Sequence, residues 1–191
     1  MNYLISALII TFAIPVWGLL IHFVEKVIYK LMVRITTPKI AYFTVNWLTF
    51  PGVMHHELSH AIFAFITGAR ITEFKLFCPN KATGELGHVS FAPRGPFFIK
   101  ALQMSLASTA PVIMGTISSM FIIIYLSSNT DILPVYMMVL FIYLLVSIIF
   151  HASMSYADVK VMFKGIWVIA IIAYVACLFW KIDFFNGFLV L

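Results

Sequence analysis

The sequence predicts an α-helical integral membrane protein with about five transmembrane helices. Three observations predict it. The chain of 191 residues is 63% hydrophobic and only 10% charged, with a mean hydropathy of +1.05. A soluble domain sits near half apolar and a quarter charged. The apolar residues fall in five runs, at about 3–24, 42–67, 99–126, 133–152 and 165–181, each near the roughly 20 residues that a bilayer core requires. Finally, the Lys and Arg behind the formal charge of +5 cluster between those runs, where membrane topology and anionic headgroups account for them. No basic-aromatic patch points to nucleic acid.

The first run lacks the basic leader and small-residue cleavage site of a secretory signal, so it reads as a retained helix. Residues 25–40 place Lys26, Lys30 and Arg34 four residues apart. That spacing makes one basic helical face, which predicts a piece lying in the membrane interface. Residues 70–98 differ in texture. Two short, partly alternating segments, 70–77 and 85–91, flank CPNKATG, which reads as a β-hairpin or a re-entrant loop. Gly84, Gly87 and Gly95 allow the backbone to bend there. Cys78 and Cys177 are far apart and match no disulfide or cysteine-based metal pattern.

Five crossings put the 70–98 segment and the 153–164 connector on one side. That side carries more Lys and Arg than the other, which favours a cytoplasmic location for it.

The second run contains HHELSH, and within it H-E-x-x-H: His56, Glu57 and His60. On a helix, positions i and i+4 share a face. Two imidazoles there suit one Zn²⁺ with open positions left for water and substrate. Glu57 stands about 100° further round the helix, placed to take the proton of a water that zinc has made acidic as it attacks a carbonyl. Ionisable groups inside a spanning segment are costly and mark function; the plain alternative is a set of polar residues bonding to neighbouring helices.

Zinc needs a third protein ligand. Asp158, in HASMSYADVK, lies on the same side as the end of the His60 helix. It reaches the metal if the fourth helix continues a couple of turns past residue 152. Otherwise it is a helix-end charge paired with Lys160 or Lys164. His151, two turns earlier, is the second candidate, or a partner that orients a ligand. His55 points away from the metal face and reads as a packing histidine. His88, in the 70–98 segment, is either a surface residue or a substrate contact. His22 ends the first run and reads as interfacial. Pro51-Gly52 and Pro111 are possible helix breaks that open a wet cavity, and the small residues between Ser105 and Ser119 let helices approach closely.

These residues resemble the site-2 protease clan of intramembrane zinc metalloproteases, over roughly residues 50–160. HELSHAIFAFITGARITEFKLF is similar to the clan's metal helix with its Gly turn and extended segment. GELGHVSFAPRGP resembles the second half of its membrane-associated hairpin, and ASTAPVIMG its small-residue helix. SMSYADVK stands where the clan supplies an Asp ligand, although Val159 follows Asp158 in place of the usual Gly. The clan's Asn after the Gly-Pro segment is replaced, and there is no PDZ insertion.

The resemblance implies one membrane-embedded metalloprotease domain over 1–191, with a core at 42–164. A membrane-associated β-hairpin, about 70–92, lies between the second and third helices. It implies Zn²⁺ held by His56, His60 and Asp158, and Glu57 as catalytic base. The substrate is the transmembrane segment of another membrane protein, unwound and held along a strand edge, with the active site nearer the cytoplasmic side of a prokaryotic plasma membrane. Two further readings stand beside it: a non-catalytic binding module or chaperone that retains the zinc fold, and a metal transporter. The near absence of carboxylates in the other runs ranks the transporter last.

Overall fold

A computed structural model of the chain describes residues 2–79 and 86–184. It is mostly helical, with one two-stranded antiparallel sheet among the described residues. Gly84, expected to help the hairpin bend, and Lys81, counted toward the basic side, lie outside the described residues.

The first helix, α1, runs Tyr3–Ile35 without a break. The expected interfacial piece at 25–40 is therefore mostly its continuation. No Gly or Pro interrupts residues 19–35, so nothing ends the helix where its charge begins. A helix of 33 residues is about 50 Å long, well beyond a hydrocarbon core of about 30 Å. Lys26, Lys30 and Arg34 fall on the excess length.

The second run is not one helix. A short helix α2, Pro38–Tyr42, passes into a π-helical turn, Phe43–Trp47, before α3 begins at Phe50 and runs to Ile66. Pro51 sits in the first turn of α3, where its missing N–H costs nothing. Strands β1, Arg70–Lys75, and β2, His88–Ala92, then pair antiparallel with an irregularity between Ile71 and Glu73. The antiparallel pairing is that of the expected hairpin.

Helix α4, Phe97–Asn129, continues straight through Pro111, so the expected break there is absent. Helix α5, Val135–His151, stops at His151, and α6, Tyr156–Phe163, starts afresh, bent 57° from it. The fourth run ends at 151, close to the expected 152, and the continuation that would have carried Asp158 to the metal is replaced by a new helix that Ser155 and Asp158 nucleate. Helix α7, Ile166–Phe179, ends the described helices.

Helices α1 and α4 are each long and apolar enough to cross a membrane, and α5 with α6 pass the same test only as a bent pair. The packing suits a lipid surround. Large apolar side chains such as Phe23, Phe65, Phe121 and Leu140 point outward. Many of the buried positions of α4 are small, among them Ser105, Ala107, Ser108, Ala110 and Gly115. With no hydrophobic force between helices in lipid, close approach of small residues is what holds them. α3 lies at the centre, against α4 and α5, with the hairpin over it. At Gly52 the backbones of α3 and α5 meet: a Cβ there would run into the Ser147 carbonyl and the His151 ring.

Candidate metal centre

His56 and His60 stand one turn apart on α3. Their Nε2 atoms lie 3.1 Å from each other. Asp158 reaches them from α6: its Oδ1 is 3.3 Å from His60 Nε2, and its Oδ2 is 3.9 Å from His56 Nε2. All three ligand atoms fall within 4.8 Å of one another.

The other ring nitrogens explain why these atoms converge. His56 Nδ1 donates to the backbone carbonyl of His151 at 2.8 Å, and His60 Nδ1 donates to that of Ala107 at 2.7 Å. Each imidazole spends its single neutral-state proton there, so both Nε2 atoms present lone pairs.

Both carbonyls are free to accept for backbone reasons. His151 is the last residue of α5, and the last carbonyls of a helix have no intrahelical partner. Ala107 is four residues before Pro111, inside α4; proline has no N–H to give to the carbonyl at i−4, and its ring pushes that carbonyl aside.

Asp158 is held by a capping box. Ser155 donates to Asp158 Oδ2 through its N–H at 2.8 Å and its hydroxyl at 2.6 Å, and Asp158 N–H returns a bond to Ser155 Oγ at 3.2 Å. The carboxylate is thus fixed as part of a helix start, and Oδ1 faces His60. Two imidazole lone pairs and a carboxylate so close repel one another unless a cation lies among them. Tetrahedral zinc with ligands at about 2.0–2.1 Å separates neighbouring donor atoms by roughly 3.3–3.5 Å; the separations of 3.1 and 3.3 Å lie close to that, and Asp158 Oδ2 stands wider, at 3.9 Å from His56. The donor set fits the metal.

Glu57 is buried and lines a cavity of about 730 Å³ together with the three ligands. The hairpin closes over it. Gly87 approaches so tightly that a Cβ there would lie 3.0 Å from Glu57 Cγ and 2.6 Å from the Leu76 carbonyl. Of the two strands, β2 lines the cavity, through His88, Val89 and Phe91. His88 Nε2 pairs with Glu73 at 2.9 Å, and Lys75 Nζ reaches the same carboxylate at 2.6 Å. The hydrogen bond from Lys75, and then that from His88, pulls the Glu73 pKa down to about 2.

His56, Glu57, His60 and Asp158 are therefore brought together. The ring of His151 is not: its Nε2 bonds Thr49 Oγ1 at 2.8 Å, and Thr49 in turn donates to the Val45 carbonyl of the π turn. His151 serves the site through its backbone, which makes it an orienting partner. His55 bonds Ser118 at 3.0 Å, as a packing histidine does. His22, expected at the interface, instead stands with Glu25 on the cavity wall. Sequence reasoning missed Glu25, Ser153 and Ser155, and it gave Pro111 the role of a helix break in place of freeing a carbonyl for His60. Two of these carried a signal: S-x-x-D at 155–158 is a capping-box pattern, and a proline four residues after a small residue frees a carbonyl. No protein-family model, no curated protein and no solved structure matches the chain, so the reading of function rests on the chemistry of this site.

Proposed function

We propose that the protein is a zinc-dependent intramembrane metalloendopeptidase of the kind the site-2 protease clan exemplifies. One observation carries the reading: two histidines with Nδ1 committed to backbone carbonyls turn their Nε2 atoms toward an Asp carboxylate, beside a buried glutamate.

In this reading His56, His60 and Asp158 hold Zn²⁺. Bound there, zinc polarises a carbonyl and acidifies water near neutral pH. Glu57 takes the proton of the attacking water on a carboxylate oxygen and returns it to the departing amide nitrogen. Gly87 keeps the hairpin close, which shuts bulk water from one side of Glu57. Strand β2 offers an extended edge on the cavity wall, and an unwound substrate adds to it by backbone hydrogen bonds. His88, held by Glu73, stands within that wall as a substrate contact.

The chain crosses the membrane five times in this reading, through α1, the α2–α3 unit, α4, α5 and α7, in a prokaryotic plasma membrane. The hairpin and Asp158 share the cytoplasmic side. The substrate is the transmembrane segment of another membrane protein, and lipid surrounds the helices.

The test is metal content and peptide hydrolysis on detergent-solubilised protein. About one zinc per chain is expected in wild type, lost in His56→Ala and His60→Ala and reduced in Asp158→Ala. Glu57→Gln is expected to keep zinc and lose at least about a hundredfold in hydrolysis, the scale of a general base. Zinc-loaded wild type that cleaves no unwound transmembrane peptide would favour the binding-module alternative. No zinc in well-folded protein, even after metal is added back, would end the protease reading and leave the binding module.

A further inference from the structure

One carboxylate of the cavity has no part in the scheme above. Glu25 stands on α1, far in sequence from the ligands, yet it lines the same cavity as Asp158. Its Oε2 accepts the hydroxyl hydrogen bond of Ser153 at 3.2 Å and lies 3.5 Å from His22 Nδ1. Two turns earlier on α1, the Gly18 carbonyl accepts the backbone N–H of Met154 at 3.3 Å. Both contacts land on the stretch Ala152–Ser155, between α5 and α6.

That stretch is the weak point of the metal centre. It lies outside the helices, so its polar groups need partners elsewhere. It also sets the 57° bend on which the direction of α6 depends. Ser155, at its end, holds Asp158 Oδ2 by two bonds and leaves Oδ1 toward His60. A shift at Ser153 is therefore passed within five residues to a metal ligand, and ligand positions have a tolerance of about 0.5 Å. Met154 is fully buried among Val112, Met162 and Ile166, which fills the space beneath. Packing alone does not call for a carboxylate at position 25, because an ionisable group inside a membrane protein is costly.

We infer that Glu25 is a positioning residue: by holding Ser153 it fixes the break between α5 and α6 and so sets where Asp158 stands relative to His56 and His60. α1 thereby takes part in the metal centre without supplying a ligand. The inference rests on the trio being a metal site and is independent of peptide hydrolysis.

The experiment measures zinc affinity of the full chain in detergent by competition with a chromogenic chelator, and the visible spectrum of the Co²⁺-substituted protein. Variants are Glu25→Leu, Glu25→Gln, Ser153→Ala and the double variant Glu25→Leu/Ser153→Ala, each checked for helical content. Glu25→Leu and Ser153→Ala are each expected to lose about tenfold in zinc affinity, the lower end for partners that orient metal ligands, and to alter the Co²⁺ spectrum. The double variant is expected to be no weaker than either single one, because both remove the same bond. Glu25→Gln is expected to recover most of the affinity, since its amide oxygen still accepts from Ser153. Wild-type affinity in Ser153→Ala, which removes one hydroxyl and keeps the fold whatever Glu25→Leu does, would overturn the inference, as would additive losses in the double variant. If wild type itself binds neither zinc nor cobalt, the metal reading falls and takes the inference with it.

Discussion

Pro111 leaves the carbonyl of Ala107 without its helical donor, and that carbonyl receives the Nδ1 proton of His60 at 2.7 Å. A residue that weakens α4 thus orients a metal ligand on α3. Replacing it separates the two effects. Pro111→Ala restores an N–H at i+4 and a better helix former, so thermal stability should rise, up to the roughly 3 kcal/mol by which proline disfavours a helix interior. Zinc affinity should fall about tenfold as the new N–H competes for the carbonyl. Calorimetry and chelator competition on one preparation would show the opposite signs; unchanged affinity would mean that the carbonyl serves both donors equally well.

His151 contributes its carbonyl to His56 and its ring to Thr49. His151→Leu should therefore keep close to one zinc per chain, unlike His60→Ala. The lost bond to Thr49 should cost about 1 kcal/mol of stability. Zinc analysis of purified His151→Leu decides it, and metal loss as complete as in His60→Ala would make His151 a ligand.

Gly87 lies against the Glu57 side of α3. In Gly87→Ala the new methyl meets Glu57 Cγ and the Leu76 carbonyl, so the hairpin must lift or the glutamate must move. A displacement of about 1 Å costs on the order of a hundredfold in turnover. Hydrolysis should drop by that scale while zinc content holds. Equal loss of zinc would show that the hairpin supports the ligands as well.

Glu73 ties β1 to β2 through His88 and carries Lys75 as well. Its folded pKa of about 2 lies below the ordinary glutamate value of 4.5. A depressed carboxyl pKa contributes stability that is fully present above the unfolded value and is lost as pH falls through the folded one. The clasp should therefore hold at neutral pH and decline between about pH 4.5 and 2. Carboxyl-carbon NMR should find Glu73 titrating well below an ordinary glutamate. Lys75→Ala should bring its midpoint back toward the ordinary value; an ordinary midpoint in wild type would show the pairs to be broken in solution. The side chains are exposed, so the effect on global stability is small.

The convergence of His56 and His60 was legible because its message is local: i and i+4 on one face need nothing but a helix. The hairpin was legible from its alternation and turn residues. Side and depth point to Asp158, but the local route differs: a continued fourth helix is one way to reach the histidines, and Ser155 supplies another by starting a new helix. The charges from residue 25 onward suggest a boundary, yet no residue there stops a helix and α1 runs on to Ile35. Glu25 shares that stretch, so its inward turn was hidden. The π turn at Phe43–Trp47 and the meeting of Gly52 with Ser147 depend on how two helices dock, and no single stretch of chain carries that information.

The break at Ala152–Ser155 also bears on the order in which the molecule is built. Asp158 is translated more than a hundred residues after His56, and the carbonyl that orients His56 belongs to the residue just before the break. A nascent chain that has inserted only its first four helices carries the two histidines and the glutamate, but neither the third ligand nor the group that sets one tautomer. On that proposal the cutting chemistry lacks both a ligand and an orienting group while the first four helices insert. It becomes available only when α5 and α6 have docked.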